Sequence, residues 1–143
     1  MSRLCITGVS GFIGTRLAEL ALGEGRSLRG VARRPWTGRP NVPLGDRALL
    51  RLPDLPDPAL LEGVDAVVHL AVAPQRAAQA EAWATNVRGT ELLYRAAVEA
   101  GVRRFVFVSS QSAHEGAVSD YGRTKHESER LLLPDPRCVV VRP

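Results

Sequence analysis

The chain is poor in lysine, aromatics and cysteine. Lysine occurs once, at Lys125, against eighteen arginines. Aromatic residues make up 5% of the chain, which leaves little for stacking nucleic-acid bases. The net charge of +4 and the pI of about 9.8 raise nucleic acid as a partner. However, the arginines (Arg3, Arg16, Arg29, Arg51, Arg76, Arg95 and Arg137 among them) are scattered between acids and form no basic stripe. An arginine-rich nucleic-acid binder is therefore the weakest reading, and no nucleic-acid partner is expected. The two cysteines, Cys5 and Cys138, lie in separate apolar runs and read as buried thiols of a reducing compartment. No apolar run reaches the roughly 20 residues that span a bilayer, and no membrane association is expected. The N-terminus leads straight into a glycine-rich turn without a signal-peptide pattern, so a cytoplasmic location is expected. Three histidines, His69, His114 and His126, have no metal-ligand spacing with cysteine or carboxylate, and no metal is expected.

What is present is an alternation of strands and helices within a length that suits one domain, residues 1–143. Residues 3–7, 27–32, 48–52, 65–72, 103–110 and 137–141 read as strands, with helices over 12–25, 57–63, 76–100 and 120–133. The run "DAVVHLAV" is apolar without alternation, as a strand buried on both faces should be. The pattern predicts an α/β fold: a doubly wound parallel sheet of the Rossmann type. The stretch 33–46 is rich in proline and glycine and reads as a loop. The chain ends at Arg142-Pro143, where a strand ends, so the last strand is expected to leave an edge open to pairing and homo-oligomers.

The turn "TGVSGFIG" spaces Gly8, Gly11 and Gly14 three apart between a strand and a helix. The first lets the chain turn sharply, the second lets backbone approach a pyrophosphate, and the third lets the helix pack on the sheet. The helix N-terminus supplies N–H groups for phosphates. The second strand ends in "VARRP", with Arg33 and Arg34 where an acid would bind the adenosine ribose of NAD. Guanidinium groups suit a 2′-phosphate, which favours NADP(H) over NAD(H) as the cofactor.

Tyr121 and Lys125 stand four apart and share one face of a helix. One lysine falls four after either of two tyrosines by chance with odds on the order of 1–2%. Hydride transfer at a carbonyl needs a proton donor at the oxygen, and an ammionium beside a tyrosine favours the phenolate. Ser109, Ser110 and Ser112 follow the strand "RRFVFV" and could orient a carbonyl.

Six segments taken in order resemble the extended short-chain dehydrogenase/reductase superfamily, the NAD(P)-dependent epimerases and dehydratases. They are "TGVSGFIG", "PDLPDPALLEGVDAVVHLAV", "TNVRGTELLYRAA", "RRFVFVSS", "YGRTK" and "VVVRP". The resemblance implies Tyr121 as acid/base, Lys125 as its modulator and Ser110, or else Ser112, as carbonyl anchor. It implies cofactor contacts from Thr7, Ser10, Phe12 and Ile13 beside the three glycines, and from Asp54 and Leu55 at the adenine. Leu70, Ala71 and Val72 at a strand end, Asn86 in a helix, and Ser109 complete the implied set. Ala73 is the other small residue at that strand end. The linker from Ser110 to Tyr121 spans only eleven positions and lacks the Val-Tyr-Gly of many sugar-nucleotide epimerases. That departure points to atypical members, some of which bind NADP(H) as redox sensors or assembly factors. Two readings follow: a Tyr/Lys/Ser-assisted NAD(P)-dependent oxidoreductase or epimerase/dehydratase acting on a small molecule, and a non-catalytic NADP(H)-binding sensor or scaffold. The resemblance further implies that a C-terminal substrate domain would follow the Arg-Pro and is absent here. Residues 1–143 then read as an N-terminal Rossmann portion, truncated after the sixth strand, that turns over poorly alone.

Overall fold

Alternate residues of the central strands point to opposite faces, one packed on several helices and the other on a single helix and a loop. A computed structural model describes residues 2–143. The strands are β1 (Arg3–Thr7), β2 (Ser27–Ala32), β3 (Arg47–Leu49), β4 (Ala66–His69), β5 (Arg104–Val108) and β6 (Cys138–Val141). All pair in parallel as one sheet in the order β3-β2-β1-β4-β5-β6. The helices are α1 (Phe12–Gly23), α2 (Pro58–Leu61), α3 (Gln79–Trp83), α4 (Gly89–Glu99) and α5 (Asp120–Leu132). Cys5, Val67, Phe105 and Phe107 pack with Leu60 and Leu61 of α2, Leu93 and Ala97 of α4, and Leu132 of α5. On the other face Ile6, Val9 and Leu28 pack with Ala18 of α1 and Val42. The doubly wound parallel sheet read from the sequence is the fold observed. Among the described residues no helix is long and apolar enough to cross a membrane.

The chain runs outward from β1 to β3, then returns to place β4 on the other side of β1. Thr7 is in register with Val31 on one side and His69 on the other. This reversal opens a crevice at the carboxyl ends of the strands, the place where such sheets bind ligands.

Three boundaries differ from the sequence reading, each for a local reason. β3 covers Arg47–Leu49 and not 48–52, because Leu50 makes the last bond to β2, donating to Ala32 O at 3.0 Å. The chain then turns, with Asp54 N–H donating to Arg51 O at 2.9 Å. β4 stops at His69 and not at Val72, because the Leu70 and Ala71 N–H groups reach Thr7 Oγ1 at 3.1 and 3.3 Å. The long helix expected over 76–100 starts at Gln79 and carries a π-helical turn, Ala84–Arg88, between α3 and α4. There the Asn86 carbonyl accepts from the side chains of Thr90 (2.6 Å) and Ser128 (2.9 Å), the kind of insertion that widens a helical turn.

Phe105 lies in the center of the α4 and α5 face, edge-on to Tyr94 at 5.6 Å between ring centroids. Phe105→Ala is expected to cost roughly 3–5 kcal/mol of unfolding free energy in urea titrations. A loss below about 1 kcal/mol would mean that this face is not the packed core.

Candidate functional site

The site begins with backbone that has no room for side chains. Gly8 has φ +68°, and a Cβ there would lie 2.9 Å from Ala71 N. At Gly14 a Cβ would sit 2.2 Å from Gly8 O, inside any possible contact. α1 opens on Gly11 with no side-chain cap and no acid in its first turn. Its N-terminal amides and positive dipole end are therefore available to an anion.

Two clefts meet over this turn. The first, of about 320 Å³, runs from Thr7, Gly8 and Ser10 to Val31, Ala32 and Arg33 at the end of β2. Leu50, Arg51 and Leu52 form another wall. The second, of about 440 Å³, is bounded by Phe12, Ile13 and Gly14 and by Val108, Ser109, Ser110, Tyr121 and Lys125. Gly8, Gly11, Leu70 and Val72 line both clefts, so together they form a trough across the ends of β2, β1, β4 and β5.

α5 brings Tyr121 and Lys125 to this trough. Ser119 caps the helix by accepting from Gly122 N–H at 3.0 Å. Tyr121 stays 44% exposed while Lys125 is 3% exposed. The Lys125 ammonium donates to Val108 O at 2.7 Å and lies 4.7 Å from the Phe107 ring centroid and 5.7 Å from that of Tyr121. Burial pushes its pKa down to about 8, and the Glu129 carboxylate partly opposes that fall. Burial alone would raise the Glu129 pKa, but hydrogen bonds from Arg142 hold it below the ordinary value. Arg142 Nε donates to Glu129 Oε1 at 2.9 Å, and Nη2 donates to Oε2 at 2.5 Å. Ser109 Oγ lies beside this carboxylate without closing a hydrogen bond of good geometry. Ser110 and Ser112 share a 3.0 Å contact between hydroxyls.

A buried polar chain ties the glycine turn to the helices. Thr7 Oγ1 accepts from the Leu70 and Ala71 amides, so its own proton goes to His69 Nδ1 at 2.6 Å. His69 must then carry its proton on Nε2, donating to Thr90 Oγ1 at 2.8 Å, which donates to Asn86 O. The Asn86 side chain accepts from Ala73 N–H at 2.7 Å and donates to Thr124 Oγ1 at 3.0 Å. Burial, then the nearby Lys125 charge, pushes the His69 pKa down to about 3.

The trough brings together most of the residues singled out from sequence: Thr7, Gly8, Ser10, Gly11, Phe12, Ile13 and Gly14 on the turn, and Leu70, Ala71 and Val72 after β4. Arg33, Ser109, Ser110, Tyr121 and Lys125 line it as well. Asn86 acts from behind through Ala73 and Thr124, and Ser112 through Ser110. Three residues fall outside its lining. Arg34 is exposed, Asp54 sits in an exposed turn, and Leu55 lines a different groove with Pro58 and Glu62. Arg51 and Leu52 stand where that pair was expected, because β3 ends early. Sequence reasoning also missed Glu81, Thr85, Glu129 and Arg142. For Glu129 the available signal was its place four residues past Lys125, on the same helix face.

Residues 4–134 match the family model described as the NAD dependent epimerase/dehydratase family. The chain belongs to this family. It is 30% identical to a 3 beta-hydroxysteroid dehydrogenase/Delta 5-->4-isomerase of Mycobacterium tuberculosis, over 81% of this chain and 34% of that protein. Among solved structures it resembles a short-chain dehydrogenase/reductase superfamily protein from Agrobacterium tumefaciens with bound NAD (TM-score 0.81, 30% identity, 98% of this chain and 48% of that one). It also resembles MoeE5 in complex with UDP-glucuronic acid and NAD (TM-score 0.79, 31% identity, 97% and 52%). The chain thus spans about a third of that curated relative and about half of these solved chains.

These family members carry NAD, which overturns the preference for NADP(H) drawn from Arg33 and Arg34. The physical reason lies in the two arginines. Both are exposed, and only Arg33 lines the trough, so the pair does not form a built site for a 2′-phosphate.

The neutral, buried His69 gives a stability prediction. Its folded pKa lies below its unfolded value of 6.5, so its stabilising contribution is complete above pH 6.5 and is lost as pH falls toward 3. Nitrogen-15 NMR is expected to show the proton on Nε2 throughout that range. His69→Phe is expected to flatten the acid limb of the stability curve, and an unchanged slope would contradict the assignment.

Proposed function

We propose that this chain supplies the cofactor cradle and the proton-transfer groups of an NAD(H)-dependent oxidoreductase or epimerase/dehydratase acting on a small molecule. The supporting observation is that Tyr121, Lys125 and Ser110 open onto the same cleft as the glycine turn. The cradle fits a dinucleotide: Gly8 and Gly14 exclude a Cβ, and α1 presents an uncapped N-terminus. Residues 1–143 then act as one NAD-binding domain. Thr7 to Gly14 would hold the pyrophosphate, and the cleft beside Ala32 and Leu52 would hold the adenosine end. Bound NAD(H) supplies the hydride acceptor or donor. Tyr121 gives its hydroxyl proton to the substrate oxygen on reduction and takes it back on oxidation. Lys125 is the positive charge available to Tyr121 when that proton is away, and two of its three N–H groups remain for ribose hydroxyls. Ser110 Oγ orients the substrate oxygen, with Ser112 fixing its rotamer. The two free thiols, Cys5 buried and Cys138 half-buried, support a reducing, cytoplasmic setting. β6 forms one edge of the described sheet, where a further strand or a second chain would pair.

NADH fluorescence titration tests the cradle. Wild type is expected to bind NADH more tightly than NADPH, and Gly14→Val to lose binding while circular dichroism confirms a folded chain. Wild type that binds neither nucleotide would sink the reading. In the protein assayed for turnover, Tyr121→Phe is expected to keep NADH affinity and to lose activity by roughly 10²–10⁴-fold. A non-catalytic sensor or scaffold would show no turnover to lose.

A further inference from the structure

Among the described residues, the fold buries two side chains that carry a formal charge, Lys125 and Glu129. They stand one turn apart on the same face of α5, at 3% and 2% exposure. A buried ammonium is costly unless an opposite charge lies close. Lys125 has a single hydrogen-bond acceptor, the neutral carbonyl of Val108. The other groups around it offer no negative charge. On β4, His69 is held neutral by its two threonine partners, and on β5, Phe107 presents a ring. On α5, Tyr121 presents its ring and His126 lies on the Glu129 side. Beyond β6, Arg142 is cationic and is engaged by Glu129.

We propose that Glu129 is a positioning residue that keeps Lys125 cationic at the cleft, and that Arg142 fixes the carboxylate where it can do so. Arg142 grips both carboxylate oxygens, and its own carbonyl accepts from Gln111 Nε2 at 3.1 Å in the serine loop. Ser109 N–H donates to Val141 O at 2.7 Å, and Pro143 lines the cleft with Ser110 and Tyr121. The ion pair therefore anchors the end of β6 against α5, and these bonds anchor it against the serine loop, with the carboxylate one turn from the lysine on the same helix face. Its role in proton transfer rests on the function proposed above, but its effect on Lys125 can be measured without turnover.

Because Lys125 is the only lysine, the chain grown on carbon-13, nitrogen-15 lysine gives one lysine side-chain signal. Its titration midpoint in wild type is expected near 8. Glu129→Gln removes the counter-charge and is expected to lower the midpoint by about one pH unit. Arg142→Met frees the carboxylate and lets burial favour its protonated form, and is expected to lower the midpoint too, by less than Glu129→Gln. A loosened fold would instead expose Lys125 and raise its midpoint toward the ordinary 10.5. A Glu129→Gln midpoint equal to or above wild type would overturn the proposal. Should Glu129→Gln fail to fold, a midpoint in Arg142→Met that stays or rises overturns it alone. Loss of NADH binding by wild type would count against the proposed function and leave this titration intact.

Discussion

The site depends on how closely the turn after β1 approaches the end of β4. A methyl group on Gly8 would collide with the Ala71 amide, and one on Gly14 with the Gly8 carbonyl. With both positions bare, α1 starts directly above the sheet and its free amides face the crevice between β1 and β4. Thr7 holds the other side of this approach: its hydroxyl accepts from the Ala71 amide and shares the Leu70 amide with its own backbone carbonyl. Hence the two clefts communicate across backbone instead of being divided by side chains.

α5 shows how the Tyr121 side of the trough is held. Of its six buried residues only Leu132 is a large apolar one; the others are Gly122, Thr124, Lys125, Ser128 and Glu129. Such a face gains little from the hydrophobic effect, and its place is set by directed bonds. Thr124 meets Asn86, Ser128 meets the Asn86 carbonyl, Lys125 meets Val108 and Glu129 meets Arg142. Buried polar contacts of this kind contribute little net stability but penalise every misaligned arrangement. Fixing Tyr121 relative to the glycine turn is the result, and the π-helical turn at Asn86 is what frees the carbonyl that Ser128 and Thr90 share.

Much of this was legible in the sequence because it rests on local chemistry. The doubly wound parallel sheet follows from unbroken β-branched runs alternating with helices, and the glycine spacing identifies the turn. The Tyr121–Lys125 spacing places both on one helix face, and both line the trough. What was not legible depends on contacts between distant segments. The early end of β3, which moves Asp54 and Leu55 away from the cleft, depends on where the sheet stops bonding. The π-helical turn offers the Asn86 carbonyl to Ser128, forty-two positions away in the chain. The pairing of Glu129 with Arg142 needs β6 folded beside α5, which no spacing announces. Arg33 and Arg34 misled for a different reason. In a chain with eighteen arginines, a pair of exposed guanidinium groups carries little information about a ligand.

That same abundance explains the lone lysine. The arginines serve mostly exposed ion pairs, such as Arg95 with Glu91 and Arg103 with Asp65. Exposed pairs of this kind contribute little, and the planar, permanently charged guanidinium groups suit wet surfaces. The space between Val108, Phe107 and Tyr121 asks for something else: a compact cation with donors in three directions and a charge that responds to its neighbours. A guanidinium is planar and bulkier and would keep its proton whatever surrounded it. The lone lysine therefore stands where a charge can be tuned: burial weakens its hold on the proton, and the Glu129 carboxylate opposes that loss.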